Sequence, residues 1–201
     1  ERSRGLGDVY KRQIREGTGI LPSRKWKLGY KGESWFKGDT INMGIGQGYI
    51  TATPLQIAVA YSALANKGEL VQPRIIEKIG EENTEIVIKK NISLIDDLNW
   101  KRIEKSLLGV VEASNGTANN IYDRNIRIAG KTGTAQVKSI IETEYELLRV
   151  DKSLRDHALF VGYGPVEEPK LVVVAIIENG ESGSAVAAPL VRKAINLYSK
   201  K

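Results

Sequence analysis

Apolar side chains recur at helical spacing in the segment that follows Thr53. Thr53 has the side chain of an N-cap residue, Pro54 suits the first helical position, and Gln56 completes a capping box with Thr53. Gly68 has the conformational freedom that commonly ends a helix. The pattern therefore predicts a helix that begins at Pro54 and ends before Gly68.

Apolar stripes of the same period predict two further helices, one over about residues 97–113 and one over residues 187–198. Residues 74–79 and 85–90 are typical of strands, and the Gly-Glu-Glu-Asn sequence between them is typical of a turn. These two segments predict a β-hairpin.

Three segments of the C-terminal half are rich in β-branched and apolar residues and predict strands. Residues 126–137 form a strand pattern interrupted by two glycines, and residues 157–163 form another that ends at Gly164-Pro165. Residues 171–178 are continuously apolar up to a final glutamate, which predicts a central strand buried on both faces. We expect residues 130–137 to lie next to residues 171–178, with the C-terminal helix packed across the sheet.

The remaining segments lack a clear period. Residues 1–13 are polar and are expected to be a disordered or non-native leader, so that residues 14–201 carry the fold. Residues 17–48 are rich in glycine, tryptophan and lysine and predict mostly loop. Residues 138–155 are highly charged and are compatible with either a short helix or a long loop. Together the elements predict a mixed α+β fold.

Composition narrows the classes of function. Of the 201 residues, 41% are hydrophobic, which suffices for a core, and no cysteine is present to form a disulfide or a thiolate metal site. The net charge of +6 comes without a basic block interleaved with aromatics, so nucleic acid is not an expected partner. His157 is the only histidine, and a structural hydrogen bond is a better expectation for it than a metal site.

The candidate chemistry lies in the sequence Ile-Ala-Gly-Lys-Thr-Gly-Thr-Ala-Gln-Val, residues 128–137. Its Gly-Lys-Thr could end a phosphate-binding loop or form part of an acyl-transfer site. A phosphate loop needs a glycine five residues before Gly130, where this chain has Asn125, and it needs loop-forming residues between the two. The strand-like residues found there disfavour phosphate binding.

Five motifs occur in an order that resembles class B penicillin-binding proteins. They are WFKGDTINMGIGQGYITATPLQIAVAYSALANKG, NGTA, AGKTGTAQV, RDHALFVGYGP and VVVAIIENG. The likeness is to the elongation-type branch, penicillin-binding protein 2, and extends from about Gly17 to the C-terminus. It implies a penicillin-binding transpeptidase fold, similar to serine β-lactamases, with an antiparallel sheet flanked by helices. It also implies a D,D-transpeptidase that cross-links peptidoglycan.

The resemblance assigns roles to four consecutive residues. Lys131 would place a positive charge beside the nucleophile and the substrate carboxylate. The hydroxyls of Thr132 and Thr134 would bind the carboxylate of D-alanine or of a β-lactam, and the backbone N–H of Thr134 would be an oxyanion donor. Gly133, without a side chain, would let the substrate lie along the strand. The neighbouring residues Gly116-Thr117-Ala118 are expected only to shape a turn.

The other two motifs of the family are missing from these residues. No Ser-x-Asn occurs, and the single Ser-x-x-Lys match, at Ser34 to Lys37, falls in the predicted loop rather than at the start of a helix. We therefore expect the chain to be the C-terminal part of a transpeptidase domain, without its nucleophilic serine and inactive by itself.

The resemblance also implies partners and location. Peptidoglycan stem peptides and β-lactams would be the ligands, with no cofactor and no metal. The parent protein would be anchored in the bacterial cytoplasmic membrane with its catalytic domain on the outer or periplasmic side, partnered with a glycosyltransferase of the elongation machinery. Three alternatives remain: a penicillin-recognising sensor on the same fold, a β-lactamase, for which no feature indicates a deacylating water, and the disfavoured phosphate-loop nucleotide binder.

Overall fold

The computed structural model describes residues 17–93, 96–137 and 152–200. The chain divides into two compact units, Glu1–Gln56 and Ile57–Lys201. The leader predicted over residues 1–13 lies outside the described residues, as do residues 138–151 of the charged segment. In the part of the chain that is described, no helix is both long enough and apolar enough to cross a membrane.

The first unit contains two short helices, α1 (Arg24–Lys31) and α2 (Lys37–Gly44), so the expectation of mostly loop over residues 17–48 was wrong. The Ser23 side chain caps α1 by accepting a hydrogen bond from the N–H of Trp26. The buried residue of α1 is Lys27, whose Nζ lies 2.7 Å from Asp39 Oδ2 and lowers the pKa of that carboxyl. Because an ion pair rather than an apolar stripe fixes α1, hydrophobic periodicity gave no signal for it.

Helix α3 (Pro54–Ala65) begins where the sequence predicts. The N–H of Thr53 donates to Gln56 Oε1 at 2.9 Å, and the N–H of Gln56 donates to Thr53 Oγ1 at 3.2 Å, which is the reciprocal pair of a capping box. Gly68 has a φ of 108° and donates its N–H to the carbonyl of Ala63, which ends the helix as expected.

The predicted hairpin over residues 74–90 is only partly correct. Its turn is formed by β2 (Lys78–Ile79) and β3 (Glu82–Asn83), which are two residues each. The next strand, β4 (Ile88–Asn91), pairs instead with β1 (Glu69–Val71), a strand that the sequence did not indicate. Beyond the turn, the N–H of Thr84 donates to the carbonyl of Glu77 at 2.8 Å, and its hydroxyl donates to the carbonyl of Ile76.

The main sheet contains β5 (Ala129–Ala135), β6 (His157–Gly164) and β7 (Leu171–Ile177), antiparallel and in that order. The expectation that residues 130–137 lie next to residues 171–178 was wrong, because β6 lies between them. The expectation of a central β7 was also wrong: all its residues are half-buried, whereas most of β6 is fully buried. The strands follow the usual preference for pairing between consecutive antiparallel neighbours.

Three helices contribute to the two hydrophobic cores of this sheet. Helix α4 (Leu98–Glu112) matches the helix predicted over 97–113, and α5 (Ala188–Tyr198) matches the C-terminal prediction. A π-helical turn, Gly183–Ala187, leads into α5. Helix α5 packs across the sheet as expected, and α3 and α4 contribute to a second core. The first core includes Ile128, Phe160, Val191 and Ile195, and the second includes Leu107, Leu108, Ala129 and Tyr163. The fold is therefore mixed α+β.

Candidate active site

The Lys-Thr-Gly sequence lies within strand β5. Lys131 is opposite Val161 of β6, Thr132 is opposite Phe160, and the register continues without a shift through Ala135. In the described ranges β5 pairs with no second strand, so its other edge is open in that part of the chain. An open strand edge offers backbone hydrogen-bonding groups to an extended peptide.

Gly130 explains how the strand fits against β6. A Cβ at this position would lie 2.6 Å from the carbonyl oxygen of Val161 and 2.7 Å from the ring of Phe160. Only glycine permits this close approach. The Gly-Lys-Thr sequence is thus in the middle of a strand rather than in a loop that opens a helix, which rules out the phosphate-loop geometry.

Lys131 places its charge beside Thr132. The Lys131 side chain is exposed, and its Nζ donates to the Thr132 carbonyl oxygen at 2.8 Å and lies 3.5 Å from Thr132 Oγ1. Strand alternation directs Thr132 and Thr134 to the same face of the sheet. Thr134 is exposed and Thr132 is half-buried. A cation and two hydroxyls therefore lie along one short stretch of the open strand, a combination suited to binding a carboxylate.

Thr117 joins this group from a different segment. Its Oγ1 lies 3.1 Å from Thr132 Oγ1, although fifteen residues separate the two threonines in sequence. The expected turn at residues 116–118 is present, since the N–H of Asn119 donates to the carbonyl of Gly116 at 3.1 Å. The sequence prediction missed the contact made by Thr117. The sequence feature that could have predicted this contact is a hydroxyl residue between two small residues, Gly116 and Ala118, shortly before the strand.

The turn after β7 also packs against the strand. A Cβ at Gly183 would clash with the carbonyl oxygen of Leu159 and would lie 2.9 Å from that of Gly133, so this glycine is needed for close approach. Asn120 Nδ2 donates to the carbonyl of Ser184 at 2.8 Å, which connects the 116–121 segment to the same turn. Three segments of the chain thus meet at residues 132–133.

Buried and paired polar groups hold the chain that leads into β5. The Arg192 guanidinium of α5 donates to the carbonyls of Ile121 at 2.9 Å and Ile126 at 2.6 Å, and burial lowers its pKa. Arg127 forms salt bridges with Glu112 at 2.7 Å and Glu167 at 2.9 Å, which raise its pKa. These contacts hold the chain that enters β5 against helices α4 and α5.

On the neighbouring strand, Tyr163 of β6 lies opposite Ala129 and is buried. Burial raises its pKa to about 12, and the charges of Glu104 and Tyr61 add to this shift. The phenol therefore stays neutral at physiological pH and supports the strand as part of the second core.

The remaining candidates lie where the sequence placed them. Ser34 is exposed in the loop between α1 and α2, outside any helix. His157 Nδ1 accepts a hydrogen bond from the backbone N–H of Asn179 at 2.9 Å, which confirms its structural role. Within the described ranges, no three His, Cys, Asp or Glu side chains come together as a metal site would need.

Comparison with known proteins agrees with this geometry. Residues 17–196 match the family model of the penicillin binding protein transpeptidase domain. The chain is 42% identical over 195 residues to peptidoglycan D,D-transpeptidase MrdA of Haemophilus influenzae, covering 92% of this chain and 30% of that protein. The chain thus spans about 30% of the length of this curated relative.

Solved structures show the same fold. The Pseudomonas aeruginosa PBP2 structure in complex with WCK 5153 superposes with a TM-score of 0.78 at 38% identity, covering 91% of this chain and 38% of that one. PBP2 of Helicobacter pylori in complex with MreC gives a TM-score of 0.74 at 29% identity, covering 92% and 32%. The chain therefore belongs to the penicillin-binding protein transpeptidase domain family, among relatives of the MrdA, or PBP2, type.

Proposed function

We propose that this chain forms the substrate-binding part of a peptidoglycan D,D-transpeptidase, an enzyme that transfers an acyl group from one D-Ala-D-Ala stem peptide to another. The observation that carries the proposal is the placement of Lys131, Thr132 and Thr134 along a strand whose other edge is open in the described part of the chain. An acyl-transfer site needs such a surface to orient an extended peptide and its terminal carboxylate.

The reaction assigns each residue a task. A serine oxygen attacks the carbonyl carbon of the penultimate D-alanine, the peptide bond breaks, and the terminal D-alanine leaves with a proton. An amine of a second stem peptide then displaces the serine. Lys131 would stabilise the negative charge at the site, and the Thr132 and Thr134 hydroxyls would hold the terminal carboxylate. The backbone N–H of Thr134 would donate to the oxyanion, and Gly133 would leave room for the substrate backbone.

The serine and its base are proposed to come from another segment of a longer protein. None of the 201 residues forms a Ser-x-Asn motif, and the single Ser-x-x-Lys match is at the exposed Ser34, outside any helix. A serine nucleophile and its lysine must share one face of a helix to exchange a proton, which Ser34 and Lys37 do not satisfy.

The parent protein is proposed to act outside the cytoplasmic membrane, to which it is anchored, and to work with a glycosyltransferase. The similarity to a PBP2 solved with MreC supports a place in an assembly. A structure of a peptidoglycan synthase complex that coordinates polymerization and crosslinking matches this chain with a TM-score of 0.74 at 34% identity. This second match supports a partnership between cross-linking and polymerising enzymes.

The test is to incubate the complete protein with fluorescent penicillin and to identify the labelled peptide by mass spectrometry. We expect one labelled serine, in a Ser-x-x-Lys motif outside these 201 residues. A label on Ser34 would contradict the assignment of the nucleophile, and no label at all would contradict the proposed function. A cross-linking assay with stem peptides then separates the enzyme, which forms a new peptide bond, from a sensor or a β-lactamase, which does not.

A further inference from the structure

We propose that Thr117 is a positioning residue, which orients the Thr132 hydroxyl so that its proton points at the substrate carboxylate. This inference rests on the proposed function and adds a residue outside the Lys-Thr-Gly strand to the same site. The observation is the 3.1 Å distance between the two Oγ1 atoms, together with the 3.5 Å distance from Lys131 Nζ to Thr132 Oγ1.

The direction of these hydrogen bonds follows from the groups themselves. A threonine hydroxyl has one proton to donate and can accept two hydrogen bonds, a lysine ammonium only donates, and a carboxylate only accepts. When a carboxylate is bound, the Thr132 hydroxyl donates its one proton to that anion. The contact with Thr117 can then persist only if Thr117 is the donor. The Thr117 and Lys131 protons thus converge on Thr132 Oγ1 and leave its own proton for the substrate.

Contacts with helix α4 hold the turn that carries Thr117 in place. A Cβ at Gly116 would lie 2.5 Å from the carbonyl oxygens of both Gly109 and Val110, so glycine lets the turn press against the end of α4. Ala118 is completely buried, and its N–H donates to the carbonyl of Val110 at 2.9 Å. Asn119 Nδ2 donates to the carbonyl of Val111 at 3.1 Å. The residues around Thr117 are thus fastened to the helix, while Thr117 itself faces Thr132.

Because Thr117 is exposed, its hydroxyl is expected to matter for ligand binding and very little for folding. Its side chain is exposed, and Thr132 is half-buried. A hydrogen bond between an exposed and a half-buried hydroxyl contributes little to stability, because water replaces it readily in the unfolded chain. Loss of the Thr117 hydroxyl should therefore affect ligand binding much more than folding.

The experiment measures second-order acylation rates of the complete protein by penicillin G and by its methyl ester, which lacks the carboxylate. Thr117→Val keeps the shape and removes the donor. We expect it to slow acylation by penicillin G about tenfold, the factor that corresponds to one net hydrogen bond, and to slow the ester by less than about twofold. Thr117→Ser keeps the hydroxyl and should restore the rate with penicillin G.

Two further variants complete the design. Thr84→Val, on the β2–β3 hairpin, is the matched control for loss of a threonine hydroxyl and should leave both rates unchanged. In a Thr132→Val background, Thr117→Val should have no further effect on the rate with penicillin G, because the group that it orients is gone.

The outcomes distinguish the two proposals. If the unaltered protein is not acylated, the proposed function fails. If it is acylated and Thr117→Val slows the acid and the ester equally, or slows neither, the positioning role is overturned while the proposed function stands.

Discussion

Replacement of Lys131 is expected to slow catalysis without changing the stability of the fold. Its side chain is exposed and bonded to the carbonyl of the adjacent Thr132. In the complete protein, Lys131→Ala should reduce the acylation rate by at least about a hundredfold, since loss of one such electrostatic group costs on the order of 3 kcal/mol in the transition state. The free energy of unfolding should change by less than about 0.5 kcal/mol.

Penicillin acylation kinetics and urea unfolding measure the two quantities. Lys170→Ala is a suitable control, because Lys170 is also exposed and contacts only the nearby Glu168 among the ion pairs found in the described residues. It should leave both quantities unchanged. Normal acylation of Lys131→Ala would show that this lysine is an ordinary surface residue and that the site is wrongly assigned.

Gly183, in the turn after β7, and Gly109, in helix α4, form a matched pair for substitution by alanine. At Gly183 a Cβ would meet the backbone oxygens of Leu159 and Gly133, which cannot move without distorting the sheet. Gly183→Ala should therefore destabilise the fold by about 1–3 kcal/mol, as overpacking does. Because Gly133 belongs to the Lys-Thr-Gly strand, the same change should also slow acylation.

Gly109 lies inside α4 and has nothing within 4 Å of the position that a Cβ would take. Gly109→Ala should stabilise the fold by about 0.5–1 kcal/mol, because alanine loses less conformational entropy than glycine in a helix. Thermal unfolding of the two variants tests both changes. Equal stability of the two would mean that the turn does not need its close approach to the sheet.

For the molecule as a whole, we expect the 201-residue chain by itself to form no adduct with penicillin. Orientation of a β-lactam by β5 leaves nothing to attack its carbonyl without an activated serine. Intact mass spectrometry after incubation with fluorescent penicillin checks this, with the complete protein as the positive control. A stoichiometric adduct on the isolated chain would show that these residues contain a working nucleophile.

The isolated chain should also bind a hydrophobic dye. Large apolar side chains are exposed in the second unit, among them Ile75 at 71%, Ile79 at 69% and Ile86 at 67%. Exposed apolar surface binds such dyes or promotes association. Fluorescence of the dye at several protein concentrations measures the effect, and the absence of any increase would contradict the prediction.

Local signals in the sequence were sufficient for several elements and for the chemistry. The capping box of Thr53 and Gln56, the stripe of α4 and the stripe of α5 depend on residues within one or two turns of each other, so the order of residues specifies them directly. The Lys-Thr-Gly-Thr residues are consecutive, so their presence on one strand could also be predicted. The family was evident from motifs in order, and the match over residues 17–196 confirms it.

Long-range packing determined the rest. A run of β-branched residues indicates that β7 is a strand but carries no information about its neighbour, and the position of β6 between β5 and β7 follows from pairing across the whole sheet. Helix α1 depends on an ion pair between Lys27 and Asp39, twelve residues apart. The contact of Thr117 with Thr132 exists only because the turn docks on α4 beside β5. Such contacts depend on where whole elements pack, and a linear pattern of side chains does not determine that packing.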